Sequence, residues 1–138
     1  MHPNAERLQA AYEAYGRGDI DAVAADWTDD VLWHVTGTTP IAHDRRGRDE
    51  IMEFLGELIT MTNGTFKLEP QRYFADDEYG VVICNSSATI ADQQIAGMTV
   101  HVHRIVDGKV AESWFLDERP LEEDAAFQAA FALIAAKA

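Results

Sequence analysis

His101 and His103 alternate in the run VHVHRIV, so in a strand their rings share one face with Ile105. An imidazole titrates at about pH 6.5, which lets it donate or accept a proton near neutrality. In a dry setting such a ring can hold a carbonyl oxygen while it becomes an enolate. Bonded to a neighbouring carbonyl or to Ser113, it is an ordinary core residue. Asp117 ends the next apolar run, KVAESWFL. Its carboxylate could take a proton from carbon, the more readily where burial raises its pKa. It also opens the acidic stretch Asp117, Glu118, Glu122, Glu123 and Asp124, the composition of a solvated turn and helix start. A His-x-His pair on a strand can serve a metal, but no further ligand cluster accompanies this one, and no metal is expected.

The turn at Asp107-Gly108 decides what faces the histidines. A two-residue turn puts Glu112 and Trp114 on their face. A three-residue turn, with Gly108 left-handed in a bulge, puts Ala111, Ser113, Phe115 and Asp117 there. In the second case Ser113 is expected opposite His101, with Asp117 about 13 Å further along the strand, so that His101 and Asp117 flank a substrate without touching. In VLWHV, alternation turns Trp33 and Val35 inward and His34 outward, unless a bulge reverses them. Arg45, Arg46 and Arg48 could greet an anion, but a solvated loop paired with Asp44 and Asp49 is the plainer reading. Cys84 sits in an apolar run with no basic neighbour, as an inert core thiol does.

The elements that must place these residues read from helix to strand. Asn4 can cap a helix with Leu8, Ala11, Tyr12 and Tyr15 on one stripe, closed by Gly16 and Gly18. Asp19 caps a second, DIDAVAADW, with Ile20, Val23 and Trp27 together. A polar loop, TGTTPIAHDRRGR, leads to a third helix from Asp49, ended by Asn63-Gly64. Then come four β-rich runs, TFKLEPQRYFA, YGVVICNSSATI, IAGMTVHVHRIV and KVAESWFL, joined at DDE, ADQQ and Asp107-Gly108. Pro70 marks an edge strand or a bulge. The alanine-rich end predicts a weakly packed last helix. This order predicts an α+β fold, helices on one face of an antiparallel sheet, over a single domain spanning 1–138.

At 138 residues with 47% hydrophobic and 25% charged, the chain can build a core and is not disordered. Its formal charge of −13 opposes binding to nucleic acid or to an anionic membrane. One cysteine excludes an internal disulfide and fits a reducing compartment. No signal peptide or spanning run is read, so the cytoplasm is the expected location.

The order and spacing of GDIDAVAADWTDDVLWHVTGTTPIAH, GRDEIMEFL, NGTF and VHVHRIVDGKVAESW resemble the nuclear-transport-factor-two-like superfamily, in its polyketide-cyclase-like and ketosteroid-isomerase-like branch. The resemblance covers nearly the whole chain. It implies a cone: a strongly curved sheet wrapped around helices, with a deep apolar pocket and homodimers as the common assembly. It does not imply one reaction, since the superfamily holds isomerases, cyclases, epoxide hydrolases, dehydratases and binders. Alignment with the isomerase hairpin favours the three-residue turn and places His101 at that enzyme's oxyanion-hole aspartate. The same alignment puts Val35 where the isomerase has its general base and Ala11 at its tyrosine, with Tyr12 adjacent and Tyr15 one turn on. The isomerase's own catalytic set is therefore missing, and so is the epoxide-hydrolase Arg-x-Asp pattern.

The expectation drawn from both lines is a cofactor-independent enzyme doing acid–base chemistry on a small apolar oxygenated molecule: isomerisation, cyclisation or dehydration. His101, Asp117 and Tyr15 are the candidate catalytic residues. Trp27, Trp33, Val35, Phe54, Leu58, His103, Ser113 and Phe115 are the candidate substrate-binding residues. The alternatives are a non-catalytic ligand-binding dimer and an epoxide hydrolase with an acid–base pair. With His101 inward, Val100, Val102, Val110, Trp114 and Leu116 are expected on the outer sheet face, as a dimer contact.

Overall fold

The computed structural model describes residues 1–137. Helix α1 (Pro3–Gly16) starts at a proline that has no amide to satisfy, and the His2 ring accepts the Asn4 amide at 3.0 Å. His2, not Asn4, is thus the cap. Asn4 is buried instead and donates to the Asp76 carbonyl at 3.0 Å, which ties the helix to the sheet. Asp19 caps α2 (Ile20–Ala24) by accepting the Ala22 amide. This helix is shorter than its sequence pattern because the Val110 amide captures the Asp26 carbonyl at 2.7 Å. Trp27 therefore begins strand β1 (Trp27–His34) and leaves the helical stripe.

The polar loop holds a two-residue strand, β2 (Arg45–Arg46), and runs into α3 (Gly47–Thr62). Asn63 ends α3 in the left-handed region at φ 51°, which an asparagine tolerates and few other side chains do. Strands β3 (Lys67–Ala75), β4 (Tyr79–Ile90), β5 (Gln93–Val106) and β6 (Lys109–Asp117) follow, then α4 (Pro120–Lys137). The sheet order is β2-β1-β6-β5-β4-β3. All neighbours are antiparallel except β1 and β6, which are parallel. Pro70 lies on the edge strand β3 beside a register shift between Pro70 and Arg72. The fold is α+β, a curved and unclosed six-stranded sheet with the N-terminal helices against it.

The last hairpin turns in two residues, Asp107 (φ 51°) and Gly108 (φ 79°), joining the pair Val106↔Lys109. The three-residue turn is thereby corrected. Yet Ser113, Phe115 and Asp117 still share the histidine face, because Ala111 is an extra residue between Ile105↔Val110 and Arg104↔Glu112. His101 pairs with Phe115, and Ser113 pairs with His103. Asp117 lies opposite Thr99, a diagonal neighbour of His101 at about 7–8 Å between backbones, well short of the span expected. The two-residue turn sets Val110 opposite Ile105 on the core side, where it is buried, and off the outer face.

Two apolar clusters meet on the concave side. One joins Leu8, Trp27, Val31, Ile51, Val82, Cys84, Ile105 and Val110; the other joins Ile41, Ile90, Ala126, Phe127 and Ala130. Helix α4 supplies only a narrow alanine-rich face to the second, and its Leu133 and Ile134 stay exposed. Arg45 departs from the solvated reading: it is 0% exposed. Its guanidinium donates to the Ile41 carbonyl at 2.8 Å and to Glu57 at 3.0 Å, and stands 5.4 Å from the Phe54 ring centre. Arg46 donates to the Asp30 carbonyl and Arg48 pairs with Asp21, so neither takes Asp44 or Asp49.

The convex side carries a cross-strand row of Phe74, Val81, Val102 and Trp114, flanked by Ile83, Val100 and Leu116. Leu116 is 58% and Phe74 55% exposed. Among the described residues, no helix is long and apolar enough to cross a membrane.

Removing the buried Arg45 charge would strand Glu57 and the Ile41 carbonyl and open a hole beside Phe54. Arg45→Ala should cost about 3 kcal/mol of folding stability, at the low end for a broken buried pair because Glu57 is half-exposed. Urea unfolding curves would measure it.

Candidate active site

A cavity of about 530 Å³ opens where the two apolar clusters meet, within the range of small-ligand sites. Its wall is aromatic. Trp33 is central, edge-on to Phe115 at 5.0 Å, to Trp27 at 5.6 Å and to Phe54 at 6.2 Å. Val35 and Leu58 line the same space, as do Leu8, Leu68 and Phe127. Alternation along β1 puts Trp33 and Val35 inward and His34 outside. There His34 bonds Glu112 at 2.6 Å and Asp44 at 3.1 Å and stacks on Trp114. A carboxylate beside each nitrogen favours the charged ring; the Glu112 bond, opposed by burial, raises its pKa.

Inside the cavity the histidines are in the opposite state. Strand β5 presents His101 and His103, β6 presents Ser113, and α1 brings Tyr12 over them from the other side. The Tyr12 hydroxyl lies 2.6 Å from His101 Nδ1 and 2.7 Å from His103 Nε2, and His103 Nδ1 lies 2.7 Å from Ser113 Oγ. Burial lowers the His101 pKa to about 4. Burial, then the neighbouring His101, lowers that of His103 to about 3. Both rings are therefore neutral at pH 7. Burial likewise holds the proton on Tyr12.

Neutral rings carry one N–H each, and the chain of bonds fixes which nitrogen has it. Ser113 is fully buried with no other partner, so its hydroxyl donates to His103 Nδ1. His103 Nε2–H then donates to the Tyr12 oxygen, and the Tyr12 O–H donates to His101 Nδ1. The His101 proton is left on Nε2, the nitrogen without a partner among the described residues and the one left to the cavity. Four residues thus leave one ring N–H, that of His101 Nε2, without a partner among them.

A second polar group lies beside Phe115. Asp117 on β6 and Glu123 on α4 both line the cavity. Burial, then the charge of Asp117 and a hydrogen bond to it, push the Glu123 carboxyl up to about 8. Thr99, cross-strand from Asp117, lines the cavity as well, and its buried hydroxyl has no partner. Tyr15 lines the wall one helical turn beyond Tyr12; burial raises its pKa. Asp26 also borders the cavity, its pKa raised by burial against the pull of Arg7 and Lys109. Asp124, next to Glu123, accepts the Thr38 amide at 2.8 Å and hydroxyl at 2.5 Å, holding the 36–39 loop at the cavity rim. Among the described residues, no group of three His, Cys, Asp and Glu side chains is set to hold a metal.

Every candidate site residue read from the sequence lines this cavity: His101, Asp117 and Tyr15, and the eight substrate-binding candidates. The sequence reading passed over Tyr12, Thr99, Glu123 and Asp26. Tyr12 stood in the same helical stripe as Tyr15, but only the docking of α1 onto β5 shows which tyrosine reaches the histidines. Cys84 is buried in the core, and burial pushes its thiol up to about 11.

A curved sheet enclosing an apolar pocket with a few convergent polar groups defines a small-molecule-pocket protein of the cone type. Residues 8–113 match the SnoaL-like domain, and the chain belongs to that family. No curated protein matches it significantly. Its fold is similar to an NTF2-like protein of Burkholderia pseudomallei (24% identity over 94% of this chain and 100% of the other, TM-score 0.82). It is also similar to a protein of cystatin-like fold from Xanthomonas campestris (23%, 90% and 97%, TM-score 0.83). A third is TerC, crystallised with polyporic acid (20%, 91% and 98%, TM-score 0.78).

The neutral histidines make folding sensitive to acid. Their folded pKa values lie below the ordinary 6.5, so the unfolded chain binds these protons first. Their contribution is complete above pH 6.5 and is lost as the pH falls toward 4 for His101 and 3 for His103. Replacing both rings by phenylalanine should flatten the part of the stability–pH slope that lies between about pH 6.5 and pH 4, as read from urea midpoints.

Proposed function

We propose that this chain is an enzyme that moves a proton beside a carbonyl group in a small, largely apolar, oxygenated molecule, with its own side chains and no cofactor. The observation that carries this reading is the His101 Nε2–H, oriented by Tyr12, His103 and Ser113 and left to a cavity with a largely aromatic wall. A neutral N–H held in this way stabilises an oxygen that gains negative charge, at no cost of reorientation during reaction. Asp117, a diagonal neighbour on the same face, stands where a carboxylate takes the proton from the adjacent carbon. Tyr15 supplies a hydroxyl to a second oxygen, and Trp33, Phe54 and Phe115 hold the apolar body.

Isomerisation, cyclisation and dehydration all begin with this step. SnoaL-like membership supports small-molecule chemistry in such a pocket. The structural neighbour crystallised with polyporic acid supports a ligand of oxygenated character. A pure binder needs one orienting hydrogen bond, whereas two separated polar groups favour catalysis.

The test is exchange of the α-protons of β-tetralone, an enolisable aryl ketone, in heavy water, followed by proton NMR. The wild-type protein should accelerate exchange. His101→Phe, close in ring volume, should keep the fold and lose about two to four orders of magnitude in rate. A fully active His101→Phe protein that is merely less stable would end the catalytic proposal.

The assembly is proposed as a homodimer joined through the convex face. The row from Phe74 to Trp114, with Ile83, Val100 and Leu116, is larger than scattered apolar residues on a monomer. Two-fold pairing would cover it and leave both cavities open. Sedimentation should give a dimer at micromolar concentration and a monomer for Leu116→Lys; a wild-type monomer counts against the assembly.

A further inference from the structure

The cavity holds a second proton-handling group that the His101 chain does not use. Asp117 comes from the end of β6 and Glu123 from the first turns of α4, and both face the same space. Acidic residues at a helix start are usually solvated, and three of their neighbours behave that way: Glu118 accepts the Met98 amide at the surface, Glu122 pairs with Arg119, and Asp124 is occupied by Thr38. Asp117 and Glu123 have no basic partner among the described residues.

An independent observation points to a ligand at the same place. Thr99 is 2% exposed, lines the cavity directly across the ladder from Asp117, and its Oγ1 bonds nothing. A buried hydroxyl without a partner costs stability unless something at the site completes it. Thr99, Asp117 and Glu123 thus border one corner of the cavity with unused hydrogen-bonding capacity. His101 stands two residues from Thr99 on the same face of β5, edge-on to Phe115 at 4.8 Å.

The geometry points to Asp117 and Glu123 acting as one proton-sharing pair, Asp117 taking a proton from substrate carbon and Glu123 returning one to a second oxygen or carbon of the same molecule. This rests on the proposed carbonyl chemistry and adds Glu123 to it as a catalytic residue. In the first step the C–H bond breaks and its proton goes to the Asp117 carboxylate. The electron pair forms the enolate double bond, and the carbonyl pair moves to the oxygen held by His101 Nε2–H. In the second step the enolate pair forms its new bond, and the group that becomes basic takes the Glu123 proton. The proton on Asp117 then passes to Glu123, which restores the starting state. Nothing is oxidised or reduced and no atom is lost, so the substrate is a carbonyl compound with a second proton acceptor, rearranged within one molecule.

Burial, then the Asp117 charge and a hydrogen bond to it, raise the Glu123 carboxyl to about 8, so Glu123 holds a proton at neutral pH. The charged groups bearing on Glu123 are Asp117 on β6 and Asp124 on its own helix, both negative; His101 on β5 is neutral, and Arg119 is engaged by Glu122.

Carbon NMR of the glutamate side-chain carboxyls decides the pairing without any substrate. One carboxyl should titrate near pH 8, should be absent in Glu123→Gln, and should move down by about one pH unit or more in Asp117→Asn. A Glu123 that titrates in the ordinary carboxylate range, or ignores Asp117→Asn, overturns the pair. Its catalytic role is read from the pH profile of β-tetralone exchange. The wild type should lose rate on the alkaline side as the shared proton leaves. Glu123→Gln should lack that alkaline limb while Asp117→Asn loses activity at least a hundredfold, on the order of a missing general base. An alkaline limb that survives Glu123→Gln overturns the pair as a catalytic unit while leaving the His101 reading intact. Absence of exchange in the wild type fails the His101 reading, and the carboxyl titration still decides the pair.

Discussion

Between the pairs Ile105↔Val110 and Arg104↔Glu112, strand β6 carries one residue with no partner on β5. Because side chains alternate across a strand, that single insertion, Ala111, exchanges the two faces of everything after it. With it, Ser113, Phe115 and Asp117 face the cavity, and Glu112, Trp114 and Leu116 face outward. Without it, a glutamate and a tryptophan would stand beside the histidines, and His103 would lose the hydroxyl that fixes its tautomer. Ahead of the bulge, the two-residue turn sets Val110 opposite Ile105 in the core, and the Val110 amide takes the Asp26 carbonyl, which ends α2 and starts the parallel pairing of β1. The position of Trp33 over the cavity follows from that pairing, since it lies opposite Ser113.

The sheet's two faces treat the same side chain in opposite ways. On the convex face His34 lies between two carboxylates, which raise its pKa against burial. On the concave face His101 and His103 find only hydroxyls and apolar rings, and burial strips their protons. A buried charge on either ring would need a carboxylate bonded to it, and neither ring has one. A neutral chain of hydrogen bonds pairs Ser113, His103 and Tyr12 and leaves the His101 Nε2–H without a partner among them. The helices have a share in this arrangement. Asn4 and Tyr12 fix α1 to strands far away in sequence, and α4 brings Glu123 and Asp124 to the rim.

The order of helices and strands, the edge position of Pro70 and the inward face of β1 were all legible in the chain. Each follows from local chemistry: apolar periodicity, a missing amide, alternation. The cavity-lining residues named from sequence were reachable because alternation in the last hairpin, joined to the family resemblance, left few choices. The turn was misread for a physical reason. A two-residue turn followed by a bulge and a three-residue turn give the same facing, and nothing in Asp107-Gly108 separates them. Arg45 was misread as solvated because its partners, Ile41 and Glu57, lie on a loop and a helix that come together only in the folded chain.

By itself the sequence determined the α+β order, the shared face of His101 and His103, and the strongly acidic surface, since these depend on residue type and near spacing alone. Only the tertiary structure decided that Tyr12 rather than Tyr15 completes the histidine chain, that Thr99 and Glu123 meet Asp117, and that burial lowers the His101 pKa while carboxylates raise that of His34. Those outcomes depend on which distant element comes within about 3 Å of a polar atom and on how much water remains around it. Neither quantity is written in any local stretch of the chain.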